Sequence, residues 1–375
     1  MRVLIVSGIW PPDVGGPASH APALARHLIA CGHQVEVVTT AVSSPQREAF
    51  PVQWVPRSRP PGVRHLAAIA AVARRAGDAD LVYATSMVRR AWIGARARRT
   101  PLVVKLVADE AYERDRRNGR FRGTLEEYQA HGGGARTAVL RASRTAALRE
   151  AVRVICPSDY LRRIALGWGL DEGNVVTIPN PAPPVEDAPT RAEARRELGV
   201  EGQVLAFAGR LTAQKNVDLL VEAAAATGAT LLVLGDGPER ARLERLVHDA
   251  DLAGRVRLLG AGDRSDVLQV FRASDLTLLP SAWENMPHTM LESLAVGTPV
   301  LATAVGGVPE VITHGENGLL VDAGDRAGFV SAAVRALGDP GLLTAMSHSA
   351  PQSVGELSEE KVLSRIERVL LEVSA

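Results

Sequence analysis

Ile178-Pro-Asn-Pro-Ala-Pro-Pro-Val-Glu-Asp-Ala-Pro189 carries five prolines and separates two stretches of chain with the same alternating pattern. Proline fixes φ and supplies no N–H, so the run reads as an extended, semi-rigid linker. Upstream, short β-branched runs alternate with Ala/Leu-rich helical segments. Strands are expected at Val3–Ser7, Gln34–Thr39, Leu81–Ala84, Leu102–Val107, Val152–Cys156 and Val175–Ile178. Helices between them include Pro17–Ala30, Arg64–Ala76, Val88–Arg98 and Arg136–Arg149. Downstream the strands are Val204–Phe207, Thr230–Leu234, Val256–Leu259, Leu276–Leu279, Pro299–Ala302 and Leu319–Val321. Helices there should begin near Gln214, Pro238, Asp263, Pro287 and Val308. This is the pattern of βα units around parallel sheets. The expectation is an α/β chain with two doubly wound domains, 1–182 and 190–355, whose strand ends face a cleft. The helical tail, Glu356–Val373, spaces its apolar residues to pack, and segment 356–375 is expected to return to the first domain.

Composition narrows the function. A 375-residue chain with 46% hydrophobic and 23% charged residues suits a soluble protein of two or three domains. A net charge of +1 makes no case for nucleic-acid binding by the whole molecule. Cys31 and Cys156 cannot build a disulfide framework and fit a reducing cytoplasm. The apolar start is short and meets Trp10-Pro-Pro-Asp13 instead of a small-residue cleavage site, so it does not read as a signal peptide. No stretch approaches the ~20 apolar residues of a membrane span. Charge is uneven, however. Between Arg89 and Arg122 lie eleven basic and four acidic residues. That excess could dock on an anionic membrane face or attract an anionic substrate; the plain alternative is solvated helix.

Chemistry concentrates after particular strands. In Pro280-Ser-Ala-Trp-Glu-Asn-Met-Pro-His-Thr-Met-Leu-Glu-Ser293, Glu284 falls on the loop after a strand and Glu292 more than a turn into the following helix, which Pro287 can open. Both carboxylates can then face the carboxyl ends of the strands, where open α/β sheets bind ligands, and two acceptors there suit a polyhydroxylated ligand. The alternative is a loop Glu favoured by a helix dipole plus a solvated helical Glu. Arg210 and Lys215 follow the first strand of the second series, where Gly209 lets the backbone turn. Two cations so placed can stabilise a departing nucleoside diphosphate, or merely cap a helix start. Gly15-Gly16 precedes a helix and would let backbone N–H groups approach a phosphate, or is only a turn. Gly235-Asp-Gly-Pro-Glu239 and Gly306-Gly-Val-Pro-Glu310 read first as architecture. A nicotinamide fingerprint is missing, since Arg240 stands where the third glycine should be. Two Asp-x-Asp pairs, Asp78-Ala-Asp80 and Asp249-Ala-Asp251, follow helices and precede strands. They belong to the amino ends of the sheets, so no metal and no other cofactor is expected in catalysis.

Gly209-Arg-Leu, Lys215, Gly235-Asp-Gly-Pro, the Glu284/Glu292 pair, Thr303-Ala-Val-Gly-Gly-Val-Pro-Glu310 and Glu316-Asn-Gly-Leu-Leu-Val321 occur in that order. Together they resemble the retaining nucleotide-sugar glycosyltransferases of family 4. Gly15-Gly16 and Cys156-Pro-Ser-Asp-Tyr160 agree more weakly. The resemblance implies a GT-B fold of two Rossmann-like domains, the first binding acceptor and the second donor. It implies that Glu292 holds the ribose, Glu284 a hydroxyl of the transferred sugar, and Arg210 and Lys215 the diphosphate. Amides of the run Asn285, Met286, Pro287, His288 and of Gly15-Gly16 would complete the cradle, with Leu259-Gly260 near the base. Where many relatives carry a His after the fourth strand, this chain has Ala108-Asp-Glu-Ala-Tyr-Glu113. Asp109 is the positional substitute and could bind a sugar hydroxyl or an aminated acceptor; its alternative is a helix N-cap.

The leading expectation is therefore a retaining enzyme moving a hexose or amino-hexose from a nucleoside-diphosphate sugar. UDP is the first choice of nucleotide and GDP the next, and the acceptor is a hydroxyl of a small molecule or lipid-linked saccharide. It would work in the cytoplasm, with peripheral contact at the inner membrane face through 89–122. A nucleotide-sugar 2-epimerase of the same architecture and a non-catalytic partner subunit are the competing readings. The missing His weakens the first, and intact Arg210, Lys215, Glu284 and Glu292 weaken the second.

Overall fold

A computed structural model describes residues 1–13 and 16–374. The chain divides into two compact units, Met1–Pro179 with Glu360–Ala375, and Asn180–Glu359. The first holds a seven-stranded sheet: β1 (Arg2–Ser7), β2 (Gln34–Thr39), β3 (Val52–Trp54), β4 (Leu81–Ala84), β5 (Leu102–Lys105), β6 (Arg153–Cys156) and β7 (Val175–Thr177). Its order is β3-β2-β1-β4-β5-β6-β7, with every pair parallel. The second holds β8 (Val204–Ala208), β9 (Thr230–Leu234), β10 (Val256–Gly260), β11 (Leu276–Leu279), β12 (Val300–Thr303) and β13 (Gly318–Val321). The order there is β10-β9-β8-β11-β12-β13, again parallel throughout.

Helices cover the strands, so the central ones are buried and read as continuous apolar runs, the expected signature of parallel sheets. Ile5 and Val6 of β1 and Leu205 to Phe207 of β8 are fully buried. The direction of connection reverses between β1 and β4 in one sheet and between β8 and β11 in the other. These are the switch points at which such sheets bind ligands.

Several expectations are corrected. The proline run, expected as an extended, semi-rigid linker, is packed in place: Ala182 is buried, bridges Ser358, and donates its N–H to Leu357 O at 2.8 Å, while Val185 and Ala188 pack on the second core. β3 is an addition. It is three half-buried residues on the sheet edge, too short to show a period. The segment at Gln214 is a single 3-10 turn, Ala213–Lys215, and the helix begins at Asp218. Val308 likewise opens only a 3-10 turn, Val308–Glu310. Pro287 is the N-cap of helix His288–Ala295 and not its first residue.

The tail forms helix Glu359–Ser374. Val362, Leu363, Ile366 and Leu370 repeat at helical spacing and are buried with Val3, Ile5, Leu24 and Leu28 in the core of the first unit. Among the described residues no helix is long and apolar enough to cross a membrane.

Candidate donor site at the second switch point

β8 and β11 lie side by side, and each runs into a loop at its carboxyl end. After β8 the chain passes Gly209 and Arg210 to the 3-10 turn ending at Lys215; after β11 it passes Pro280 to Glu284. The two loops are stitched together. Ala282 N donates to Gln214 O at 2.8 Å, Asn216 Nδ2 donates to Pro280 O at 2.8 Å, and Gln214 Nε2 donates to Trp283 O. Asn216 adopts φ +44°, the left-handed conformation that Asn tolerates, and this turns its side chain to that carbonyl. With the backbones fixed, Lys215 Nζ pairs with Glu284 Oε1. Both side chains are largely shielded, at 14% and 8% exposure, so solvent screening is weak and the charges are held in place.

Glycines make the loop packing possible. Gly306 has φ +59°, and a Cβ there would fall 1.7 Å from Glu284 O. Next to it, Gly307 N donates to Asn285 O at 2.8 Å. Gly235 lies equally close to the other side, since a Cβ would sit 1.9 Å from Gly209 O. The glycine turns are thus architecture that shapes the site. They hold the Arg210 and Glu284 loops against their neighbours.

Asn285 and Met286 are buried, and Met286 O accepts from Asn180 Nδ2 at 2.8 Å. Pro287 has no N–H to contribute to a cradle; it supplies the cap position from which helix His288–Ala295 starts. Leu259 and Gly260 end β10, half-buried, and Gly260 O accepts from Gly235 N at 2.6 Å. Arg210 is solvent-exposed. Glu292 is 9% exposed on the helix. Burial raises its carboxyl above the usual range, and Arg264, with Nε 3.8 Å from Oε1, opposes that shift. Arg264 also approaches Glu359 Oε2 at 3.7 Å.

Sequence reasoning missed Arg264. A signal was present: Asp263 and Asp266 form a capping box, which fixes Arg264 as the first residue of a helix just after β10.

Elsewhere the expected residues fare differently. Gly15 lies outside the described residues, and Gly16 begins helix Gly16–Ala30 after β1. Asp109 does not line an open surface. It is fully buried and caps helix Glu110–Arg117, accepting from Ala111 N at 3.0 Å, while its second oxygen lies 2.7 Å from Arg144. Burial lowers the Arg144 guanidinium below its ordinary value and Asp109 opposes the shift. The guanidinium carbon stands 3.5 Å over the Trp168 ring. In this structure one Asp109 oxygen is spent on the helix cap and the other on the ion pair with Arg144.

Asp80 accepts from Arg2 N at 2.7 Å and Asp249 ends a helix, so both Asp-x-Asp pairs precede strands at amino ends. The basic stretch is partly spent on partners. Arg89 pairs with Glu110, Arg96 with Glu150 and Arg120 with Asp115, Arg116 donates to Tyr112 Oη, and Lys105 is buried.

Residues 190–353 match the family model described as glycosyl transferases group 1, and residues 15–181 match the glycosyl transferase 4-like domain. The chain belongs to the family 4 glycosyltransferases. These are enzymes, and the fold is GT-B. N-acetyl-alpha-D-glucosaminyl L-malate synthase of Bacillus anthracis is 39% identical over 39% of this chain, which spans 38% of that relative's length. An uncharacterized glycosyltransferase of Methanocaldococcus jannaschii is 26% identical over 95% of this chain and 94% of its own. Among solved structures, HepE of Anabaena in complex with UDP matches with a TM-score of 0.79 at 20% identity. That match covers 99% of this glycosyltransferase and 100% of HepE.

Proposed function

We propose that this glycosyltransferase takes a nucleoside-diphosphate sugar, UDP first and GDP next, as donor. It transfers a hexose or amino-hexose, with retention, to a hydroxyl of a small-molecule or lipid-linked acceptor. The observation that carries this reading is the shielded Lys215–Glu284 pair at the β8/β11 switch point. A diphosphate entering there competes for Lys215. As the ammonium turns to phosphate oxygen, Glu284 is released to accept from a hydroxyl of the sugar. Arg210 adds a fork of donors to the diphosphate. The likeness to HepE, which was solved with UDP and with UDP-glucose, supports the choice of nucleotide. Glu292 takes the ribose, and Arg264 beside it offsets the cost of its buried charge.

In the transfer, the acceptor oxygen bonds to the anomeric carbon on the face from which the phosphate oxygen leaves. The acceptor's proton passes to that departing oxygen, so no protein nucleophile is consumed. Lys215 and Arg210 stabilise the growing phosphate charge, the work a metal would otherwise do.

Thermal shift with UDP, GDP, ADP and TDP and their sugars tests the donor class. A ligand at 100 times its Kd raises stability by about 2.7 kcal/mol, readily visible in Tm. Glu292→Ala should weaken free UDP, while Glu284→Ala should keep it and lower turnover, because only the sugar contact changes along the reaction. Equal loss of UDP binding in both variants would overturn these roles. Slow release of nucleotide from the donor without acceptor is expected of a transferase; steady interconversion of two intact nucleotide sugars would instead mark an epimerase.

A further inference from the structure

The first unit holds a second constellation, one that the donor chemistry does not use. His27 closes the last turn of helix Gly16–Ala30, and Cys31 follows one turn on, its N–H bonded to His27 O at 3.0 Å. Residues four apart stack on one helix face, so the imidazole and thiol point the same way. Glu367 comes from the tail helix and lies against both. His27 Nε2 is 2.8 Å from Glu367 Oε2 and 3.8 Å from Cys31 Sγ. One donor atom from each of the three residues can be chosen so that all lie within 4.8 Å of one another. Among the described residues no other group of three His, Cys, Asp or Glu side chains is so gathered.

We infer that His27 Nε2, Cys31 Sγ and a Glu367 carboxylate oxygen form a zinc site that fastens the tail helix to the first helix. Bond lengths of roughly 2.0–2.3 Å for nitrogen, oxygen and sulfur place tetrahedral donors about 3.3–3.6 Å apart. The observed 2.8 and 3.8 Å straddle that spacing and all three donors lie within 4.8 Å of one another, so rotamer adjustment can close the set around an ion. One imidazole, one thiolate and one carboxylate make a set that suits zinc and disfavours the hard ions magnesium and calcium. His33 orients the carboxylate from outside, with Nε2 2.9 Å from the other oxygen, Oε1. Gly32, at φ +82°, turns the chain so that His33 comes back to that position. Water completes the coordination at the exposed Cys31 side.

Binding exchanges the Cys31 S–H bond for a sulfur–metal bond and releases that proton to solvent, with no change of oxidation state. Because Glu367 lies 340 residues from His27, the unfolded chain does not assemble the three ligands, and the ion stabilises the folded form.

The test uses the full chain, reduced and freed of metal. Cobalt(II) is titrated as the probe, followed by displacement with zinc. One equivalent of cobalt should give a thiolate-to-cobalt charge-transfer band, and zinc should abolish the band and raise Tm. Cys31→Ser, at an exposed position, should lose the band and weaken zinc at least tenfold, and Glu367→Gln should weaken it comparably. The inference is overturned if the unaltered chain shows no thiolate band. It is equally overturned if Cys31→Ser binds both metals as before, since the buried Cys156 or surface histidines would then be responsible. A structural His27–Glu367–His33 network alone would give no band and no Tm rise with zinc.

Discussion

Lys105 ends β5 fully buried, and its Nζ has no hydrogen-bond partner among the described residues. Burial alone pulls its pKa down to about 7. An unfolded lysine titrates near ~10.4. Between those values the unfolded chain holds the proton and the folded chain does not, so stability rises with pH through the window. Below about pH 7 both forms are charged and the penalty is fully present. Lys105→Met should therefore stabilise the protein at pH 7, by up to about 4 kcal/mol for a shift of this size. The gain should shrink towards zero near pH 10. A Tm difference that does not vary with pH would show that the amine is not the source.

Asp109 makes the opposite case, a buried charge with its partner in place. Asp109→Asn keeps the cap but leaves Arg144 unneutralised under Trp168. Removing one partner of a buried pair costs roughly 3–5 kcal/mol, so Tm should fall by many degrees. Adding Arg144→Met to the same chain should recover part of the loss. An unchanged Tm in the single variant would refute the pairing.

At the scale of elements, the turns act by letting backbones touch. Gly306→Ala should displace the Glu284 loop, because its Cβ would overlap Glu284 O and Ala disfavours φ +59°. Turnover should drop at least tenfold, about 1.4 kcal/mol of transition-state stabilisation, with a smaller loss of UDP affinity. Full activity in this variant would detach the turn from the site.

The parallel strands were legible because their apolar runs are continuous and evenly punctuated, and Lys215 and Glu284 because their loops follow such runs. What stayed hidden depends on tertiary meetings. Arg144 reaches Asp109 from a helix thirty-five residues on, an interval that no periodicity marks. Helices Leu125–Ala130 and Asp159–Leu166 are short, with too few turns for an apolar stripe to stand out, although Thr124 and Ser158 cap them. The proline run read as a semi-rigid linker because its composition reports stiffness and not what Ala182 and Val185 pack against.

At the scale of the molecule, the chain leaves the first unit at Pro179 and re-enters it at Glu360, so that unit is finished only by residues that follow the whole second unit in sequence. Val362, Leu363, Ile366 and Leu370 fill its core, and fully burying each such side chain contributes about 1.5–3 kcal/mol. Glu367 adds contacts to His27 and His33, and Arg365 donates to Thr177 O at 3.2 Å. The summed loss on deleting the tail, roughly 6–12 kcal/mol as an upper bound, is comparable with the whole stability of a typical domain. A chain ending at Glu359 should therefore lose the cooperative melting of its first unit and expose apolar surface. The second unit owes its core to residues 180–359 and should keep its own transition. UDP should still raise the Tm of that remaining transition, because Arg210, Lys215, Glu284 and Glu292 all belong to it. Two intact transitions after truncation would show that the tail helix is an ornament of the first unit and not part of its core.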